Sequence, residues 1–372
     1  MSPRDDLPQF SGLRGIAALL VLFYHVRTPQ HLELNFGVCD VFSKFGYLGV
    51  DVFFVLSGFI LSHVYRDGFN LAGLRSYGVA RFARIYPLHL VTLFMMLGAY
   101  AIALRVGVQP TEASGYGWLG TITGLLLVQE WFGLVAPNPG SWSISIEFAN
   151  YLLFPLLMLL PRFPRYLAPI VLLFGALIVE GFGGVRVMRP MTEFVMGCAA
   201  YSIATRYSYK SVPALAGLTF ALPFIVAGLL GREFPGLAAL SFAATMILLS
   251  GTAREPFKDF CASRPMVFIG EISYSVYLLQ WFVWIGWKHG IAKIPFFAAH
   301  SYVMVLAAAA SVVACAVPSF FCLSDHAARC FAARSQTINW PQFQLAQPRY
   351  RGGKISQPLL SSLVDRQIFQ QR

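Results

Sequence analysis

The chain has 372 residues, of which 57% are hydrophobic and 12% are charged, and its net charge is +11 at neutral pH with histidine neutral. Soluble domains carry about 25% charged residues, so this composition excludes an ordinary soluble enzyme. It predicts an all-α, polytopic integral membrane protein. Nucleic-acid binding is also disfavoured, because the lysines and arginines lie in short loops between apolar runs rather than on one continuous face.

Eleven apolar runs along the chain are candidate membrane helices. They are 12–27, 46–65, 85–106, 118–135, 144–160, 167–181, 190–205, 212–230, 236–252, 268–287 and 302–323. If every run crossed, arginine-rich loops such as 161–165 would face the outside, against the bias of Lys and Arg toward the cytoplasm. If 118–135 does not cross, these loops return to the cytoplasm. The sequence thus predicts about ten transmembrane helices, one additional non-crossing hydrophobic segment and two cytoplasmic termini.

The membrane domain is predicted to occupy 1–334, followed by a polar tail over 335–372. The tail is rich in Gln, Pro, Ser and Arg and has no sustained periodicity, so it is expected to be disordered and cytoplasmic. The six cysteines form no CxxC pair or metal-ligand cluster, and no metal site is expected.

The first apolar run carries an ionisable residue near each end, Arg14 and His25. The ten residues between them place the two side chains within about 20° of each other around a helix and about 16 Å apart along it. Arg14 is then expected near the cytoplasmic surface and His25 past the middle of the membrane. A snorkelling arginine and a packed histidine would explain either residue alone. Charged groups inside a membrane, however, usually face a cavity or a partner.

Two acidic residues are predicted to enter the membrane from the outer side. Asp51 lies in GVDVFFVLSGF, at the start of the second run, and Glu147 lies in SWSISIEF, about one turn into a later helix. Each is a candidate partner for His25, and together they would provide general-base chemistry. A structural role, such as complementing a helix dipole, is the alternative.

Arg81 and Arg84 lie three residues apart in RFARIYP, at the cytoplasmic entrance of the third run. They can present neighbouring guanidinium groups on one helix face. Such a pair suits phosphate capture, because the planar donor fork of arginine matches phosphate oxygens. Anchoring by positive charge at the cytoplasmic side is the alternative. Together with Arg14, the pair predicts an anion-binding site at the cytoplasmic side of the first helix. His25 lies deeper in the membrane, where the chemistry is expected.

These motifs resemble those of the membrane acyltransferase-3 family over roughly 10–330. The resemblance rests on LRGIAALLVLFYHV, GVDVFFVLSGFI, RFARIYPLHL, SWSISIEFANYLLFP and ISYSVYLLQ. Members of this family O-acylate bacterial lipopolysaccharide O-antigens, exopolysaccharides and nodulation factors, and some acylate macrolide antibiotics. The family commonly has His at the end of the last motif, where this chain has Gln280, so no catalytic role is assigned to that position.

The resemblance implies an O-acyltransferase of the bacterial inner membrane, surrounded by membrane lipid. Its donor would be cytoplasmic acyl-CoA, most often acetyl-CoA, its acceptor would be a hydroxyl of a cell-surface glycan, and no permanently bound cofactor is implied. The residues in contact with the CoA phosphates would be Arg14, Arg81 and Arg84. The catalytic residues would be His25 as base or transient acyl acceptor, Glu147 to orient or polarise it, and Asp51 as a weaker member.

Other interpretations of the sequence stay open. A proton-coupled transporter would also contain buried His, Asp and Glu residues, but transporters often have repeats with interrupted helices, whereas these ionisable motifs all lie within 14–147. A scaffold without chemistry and acylation of a non-glycan metabolite are further alternatives. Direct transfer and transfer through an acyl-enzyme are both compatible with these residues. Some family members carry a periplasmic hydrolase-like domain; none is recognised in this sequence, so a second transfer step is expected to be absent or supplied by another protein.

Overall fold

The structure, a computed structural model, describes residues 7–27, 40–107, 113–159, 167–182, 186–206, 215–251, 255–289, 294, 296–297 and 300–325. Within these ranges the chain forms helices and no strand, which confirms the all-α prediction. The polar tail predicted over 335–372 lies outside the described residues.

The helices follow one another along the chain. They are α1 (Pro8–Arg27), α2 (Asp40–Lys44), α3 (Gly49–Val64), α4 (Leu71–Arg105), α5 (Trp118–Leu125), α6 (Ser141–Leu159), α7 (Ala168–Phe182), α8 (Met188–Ala204), α9 (Leu215–Leu230), α10 (Pro235–Ser250), α11 (Pro256–Cys261), α12 (Arg264–His289) and α13 (Ser301–Ser319). Single turns of 3₁₀ helix occupy Gly46–Leu48, Ala113–Tyr116 and Gln129–Phe132, and a π-helical turn occupies Phe320–Asp325.

Among the described residues, five helical stretches are long and apolar enough to cross a membrane. They are Pro8–Arg27, Gly46–Val64, Gly73–Arg105, Arg264–Trp287 and Tyr302–Cys322. Three shorter apolar helices, α7, α9 and α10, accompany them. Large apolar side chains on the outside of these helices are exposed, including Leu229 at 80% and Leu177 at 69%, which suits contact with lipid tails. The fold is that of a helical membrane protein, and the count of about ten crossings stays a prediction.

α1 lies at the centre of the fold and packs along α12 in the same direction. Gly270 of α12 lies against the carbonyl oxygen of Ser11, where a Cβ would have no room. Further along both helices, the imidazole of His25 contacts the indole of Trp281, with ring centroids 4.8 Å apart. Small residues that let two backbones approach closely are typical of helix pairs in membranes. The close pairing therefore determines which residues of α12 lie beside His25.

α3 packs against both α1 and α8. Gly58 of α3 lies against the carbonyl oxygen of Phe194, so the backbones of α3 and α8 are in close contact. Because these two helices run in parallel, Asp51 in the first turn of α3 meets Arg189 in the first turn of α8.

The segment 118–135 is not one long helix. Its helix, α5, has eight residues and is therefore about 12 Å long, less than the hydrocarbon thickness of about 30 Å. The last turn of α5 and the backbone beyond it are held by side chains of neighbouring helices. His89 of α4 hydrogen-bonds the carbonyl oxygen of Gly124 in that turn at 2.9 Å, and Ser145 of α6 donates to that of Leu127 at 2.7 Å. Irregular backbone is tolerated at membrane depth where protein satisfies it in this way.

Candidate active site

Two groups of residues lie along α1, one around Arg14 in its first half and one around His25 in its last turn. The arginine pole consists of Arg14, Arg81, Arg84, Glu147 and Tyr151. The histidine pole consists of His25, Gly140, Gln280 and Trp281. Because Arg14 and His25 are eleven residues apart, the two poles are separated by about 16 Å along α1.

The arginine pole gathers three guanidinium groups around one carboxylate. Arg14 lies within electrostatic range of Arg81 and Arg84 on α4. It is also within range of Glu147, so three positive charges face one negative charge. In the described part of the chain none of the three arginines forms an ion pair within 4 Å. The excess of positive charge makes this pole electrostatically suited to an anion.

Aromatic side chains hold the arginine pole in place. The guanidinium carbon of Arg81 lies 5.9 Å from the ring centroid of Tyr77 and 5.5 Å from that of Tyr151, in the range of cation–π contacts. The hydroxyl of Tyr77 donates at 2.8 Å to the carbonyl oxygen of Tyr151. This oxygen has no helical donor, because residue 155 is Pro155 and carries no N–H. The buried Nε of Arg81 has no protein partner among the described residues and is available to a ligand.

The histidine pole contains polar atoms that lack partners. The imidazole of His25 is flanked by the rings of Trp281 and Tyr24, with centroids 4.8 and 5.2 Å away. The amide of Gln280 also lies beside it. Within the described residues, the buried Oε1 of Gln280 and the buried Nε1 of Trp281 have no hydrogen-bond partner. Buried polar atoms are paired in at least about 90% of cases, so two orphans beside one histidine indicate a place for a ligand.

Asp51 lies in an ion cluster whose centre is Arg189. The guanidinium group of Arg189 contacts Asp51 at 2.5 Å, Glu193 at 3.3 Å and Glu233 at 3.2 Å. Asp51 is 5% exposed and Glu193 is fully buried. The cluster joins α3, α8 and the turn before α10. These contacts give Asp51 a structural role, and among the described residues it makes no hydrogen bond with His25.

The structure does not bring Glu147 to His25, contrary to the contact expected from the sequence. α6 begins inside the bundle rather than at its surface, because the segment that contains α5 enters first. Gly140, the last residue before α6, lies against the indole of Trp281 at the histidine pole. Glu147 follows seven residues later and is therefore about 10 Å further along α6. Glu147 accordingly belongs to the arginine pole.

Four residues at these sites were not predicted from the sequence. They are Tyr151, Arg189, Glu193 and Trp281. The spacing of four between Arg189 and Glu193 inside an apolar run is typical of an ion pair on one helix face and was a usable signal. The position of Trp281 depends on the pairing of α1 with α12, which no local pattern reveals.

Comparisons with known proteins identify the family to which the chain belongs. A family model described as an acyltransferase domain matches residues 7–323, which include both poles. Acyltransferase MdmB of Streptomyces mycarofaciens is 40% identical over 164 residues, 42% of this chain and 40% of that protein. Peptidoglycan O-acetyltransferase OatA of Listeria monocytogenes is 25% identical over 321 residues, 74% of this chain and 49% of that protein. O-acetyltransferase OatA of Staphylococcus aureus is 26% identical over 323 residues, 74% of this chain and 50% of that protein.

The chain thus spans about half the length, or less, of these relatives. No solved structure matches.

Proposed function

Because the chain belongs to the acyltransferase-3 family, we propose that it transfers an acyl group, most often acetyl, from acyl-CoA to a hydroxyl of a cell-surface glycan. It is an acyltransferase for groups other than amino-acyl groups. The observation that carries the proposal is the placement of the arginine pole and of His25 on one face of α1, about 16 Å apart. Family membership also favours a transferase over a proton-coupled transporter.

The donor binds at the arginine pole. Coenzyme A presents phosphate groups at one end and a thioester at the other, joined by a long extended pantetheine arm. Guanidinium groups bind phosphate oxygens through two parallel N–H donors, and Arg84 is exposed where an anion can enter. The separation of about 16 Å between Arg14 and His25 then lets one donor molecule occupy both poles. We assign the arginine pole to the cytoplasmic side, because acyl-CoA is made there.

His25 acts as the base at the other pole. It takes the proton from the acceptor hydroxyl while the hydroxyl oxygen forms a bond to the thioester carbon. The carbon–sulfur bond then breaks, and the thiolate of CoA receives the proton from His25. The products are an ester and free CoA thiol. If His25 accepts the acyl group transiently, its imidazole nitrogen bonds to the thioester carbon, the carbon–sulfur bond breaks, and the thiolate of CoA takes the other imidazole proton. The acceptor oxygen then bonds to the acyl carbon, the carbon–nitrogen bond breaks, and the hydroxyl proton returns to the imidazole.

The acceptor is a glycan hydroxyl, and this part of the proposal is supported by the relatives named peptidoglycan O-acetyltransferases. In a bacterial inner membrane, lipopolysaccharide O-antigen and exopolysaccharide offer the same chemistry. A hydroxyl approaches His25 from the end of the bundle opposite the arginine pole. A non-glycan secondary metabolite with a free hydroxyl is the alternative acceptor.

The test compares surface glycans from cells with and without the full chain by mass spectrometry, together with release of CoA thiol in membranes supplied with acetyl-CoA. We expect base-labile acetyl esters and thiol release that both require the protein. Glycans that are identical in the two strains would exclude the glycan acceptor. An absence of thiol release with any acceptor, combined with substrate uptake into vesicles, would instead identify a transporter.

A further inference from the structure

The indole N–H of Trp281 is a buried donor with no acceptor among the described residues. Buried tryptophan N–H groups usually find a partner, because an unmade hydrogen bond costs about 1–3 kcal/mol. Trp281 lies beside His25, and its neighbour Gln280 carries a second unpartnered atom although it is only 2% exposed. Both orphaned atoms therefore lie where the proposed reaction takes place.

The backbone of Gly140 lies close to the edge of the indole that carries this N–H group. A Cβ added to Gly140 would be 3.4 Å from Nε1 and 3.2 Å from Cδ1 of Trp281, and 3.5 Å from Oδ1 of Asn138. That Oδ1 already accepts a hydrogen bond from the backbone N–H of Gly140 at 3.0 Å. A side chain at residue 140 would therefore contact the edge of the indole that carries the N–H group.

The indole N–H also lies near a positive helix end. α6 has 19 residues and begins at Ser141, directly after Gly140. The first N–H groups of a helix have no partner within the helix, and the peptide dipoles add up to a partial positive charge there. The dipole of α6 and the indole N–H thus both stabilise a negatively charged oxygen atom.

On these grounds, and resting on the proposed function, we propose that Trp281 stabilises the oxyanion of acyl transfer. When the acceptor oxygen bonds to the thioester carbon, the two electrons of the carbonyl π bond move onto the carbonyl oxygen. The Nε1–H of Trp281 donates a hydrogen bond to that oxygen. The charge returns to the carbon–oxygen double bond when the carbon–sulfur bond breaks. The same oxygen becomes negative in the direct route and in the acyl-enzyme route.

The test is Trp281→Phe, which keeps an aromatic ring against His25 and removes the N–H donor together with part of the indole volume. Loss of one such donor typically lowers kcat about 10²–10³-fold. We expect this loss with unchanged affinity for acyl-CoA, because the phosphates bind at the distant arginine pole. Trp284→Phe is the matched control. Trp284 lies one turn further along α12, its Nε1 is also buried without a partner, and it packs among apolar side chains, so this variant should keep the parental rate.

A second variant tests access to the N–H group without changing the indole. Gly140→Ala brings a methyl group to 3.4 Å from Nε1, where it should hinder a ligand oxygen from reaching the N–H, and is expected to lower kcat with the indole intact. Thermal unfolding of both variants is compared with that of Trp284→Phe, so that rates are read only on folded protein. If folded Trp281→Phe and Gly140→Ala both transfer at the parental rate, the inference is overturned.

A binding measurement gives a readout that does not depend on turnover. Two unreactive CoA analogues are used, a ketone in which a methylene separates the sulfur from the carbonyl, and the thioether that lacks the carbonyl oxygen. The parent should bind the ketone more tightly, and Trp281→Phe should remove that preference. An equal preference in the parent and in Trp281→Phe would overturn the inference.

Failure of the inference is distinguishable from failure of the proposed function. If His25→Gln is inactive while Trp281→Phe is fully active, only the role of Trp281 is lost. If no variant at either pole changes acyl transfer, the proposed function of the site is lost together with it.

Discussion

The hydroxyl of Tyr151 donates a hydrogen bond of 2.5 Å to Oε1 of Glu147, one turn back along α6. This pair lies among the guanidinium groups of the arginine pole rather than beside His25. The carboxylate therefore balances part of the positive charge that is available to a bound anion. Glu147 is therefore expected to affect acyl transfer through the binding of acyl-CoA and not through the imidazole of His25.

Glu147→Gln should strengthen the binding of acyl-CoA, because it removes the one negative charge from an anion site. We expect an increase in affinity of up to about tenfold, equivalent to about 1.4 kcal/mol. Because Glu147 and His25 do not touch, the effects of Glu147→Gln and His25→Gln on the transfer rate should multiply. Titration calorimetry with a thioether analogue of acyl-CoA measures the affinity. The transfer rates of the two single variants and of the double variant show whether the effects multiply. A double variant no slower than His25→Gln alone would show that the two residues act as a unit.

Arg84→Lys should weaken acyl-CoA binding although the charge is preserved, since lysine cannot make the forked contact to phosphate. A loss of about tenfold in affinity is expected, close to that of one hydrogen bond to a charged group. Arg75→Lys is the matched control, because Arg75 is also an exposed arginine of α4 but lies outside the arginine pole. Equal affinities for the parent and Arg84→Lys would contradict phosphate binding by Arg84 and would favour a role in membrane anchoring.

Asp51→Asn should keep the transfer rate of the folded protein. Asp51 is one of three carboxylates around Arg189, so its neutralisation leaves two partners for the guanidinium group. Arg189→Met should instead destabilise the fold by about 3–5 kcal/mol, because it leaves buried carboxylates without a partner. Thermal unfolding and rates normalised to folded protein measure these effects. A large fall in rate for folded Asp51→Asn would give this residue a part in the chemistry.

The loops around residues 163 and 208 should face the cytoplasm, as the distribution of Lys and Arg predicts. Single cysteines introduced there, in a background without the native cysteines, should resist a membrane-impermeant thiol reagent in intact cells. They should react once the membrane is opened. Labelling in intact cells would contradict the topology with about ten crossings.

The sequence predicted those features that depend on one helix at a time. The spacing of Arg14 and His25 places them at two ends of one helix face, and the spacing of Arg81 and Arg84 places two guanidinium groups side by side. Both are consequences of helical periodicity. One contact between helices was also predicted. Arg14 of α1 was expected to meet Arg81 and Arg84 of α4, because all three arginines were placed near the cytoplasmic surface.

The sequence failed where a position depends on how helices pack. Glu147 was expected about one turn from the surface, but α6 begins in the interior, after irregular backbone that His89 and Ser145 satisfy. Trp281 comes to His25 only because Gly270 allows α12 to lie against the backbone of α1. Such contacts between distant segments leave no local period in the sequence.

The central claim is that acyl-CoA binds at the arginine pole while His25 carries out the chemistry. The most direct measurement determines, for His25→Gln in native membranes, both the affinity for acyl-CoA and the rate of acyl transfer per molecule of folded protein. We expect parental affinity, because the arginines lie about 16 Å away along α1, and a rate lower by about 10²–10⁴-fold, the usual cost of losing a general base. Transfer at the parental rate would contradict the account, because His25 would then be a packing residue and the base would lie elsewhere.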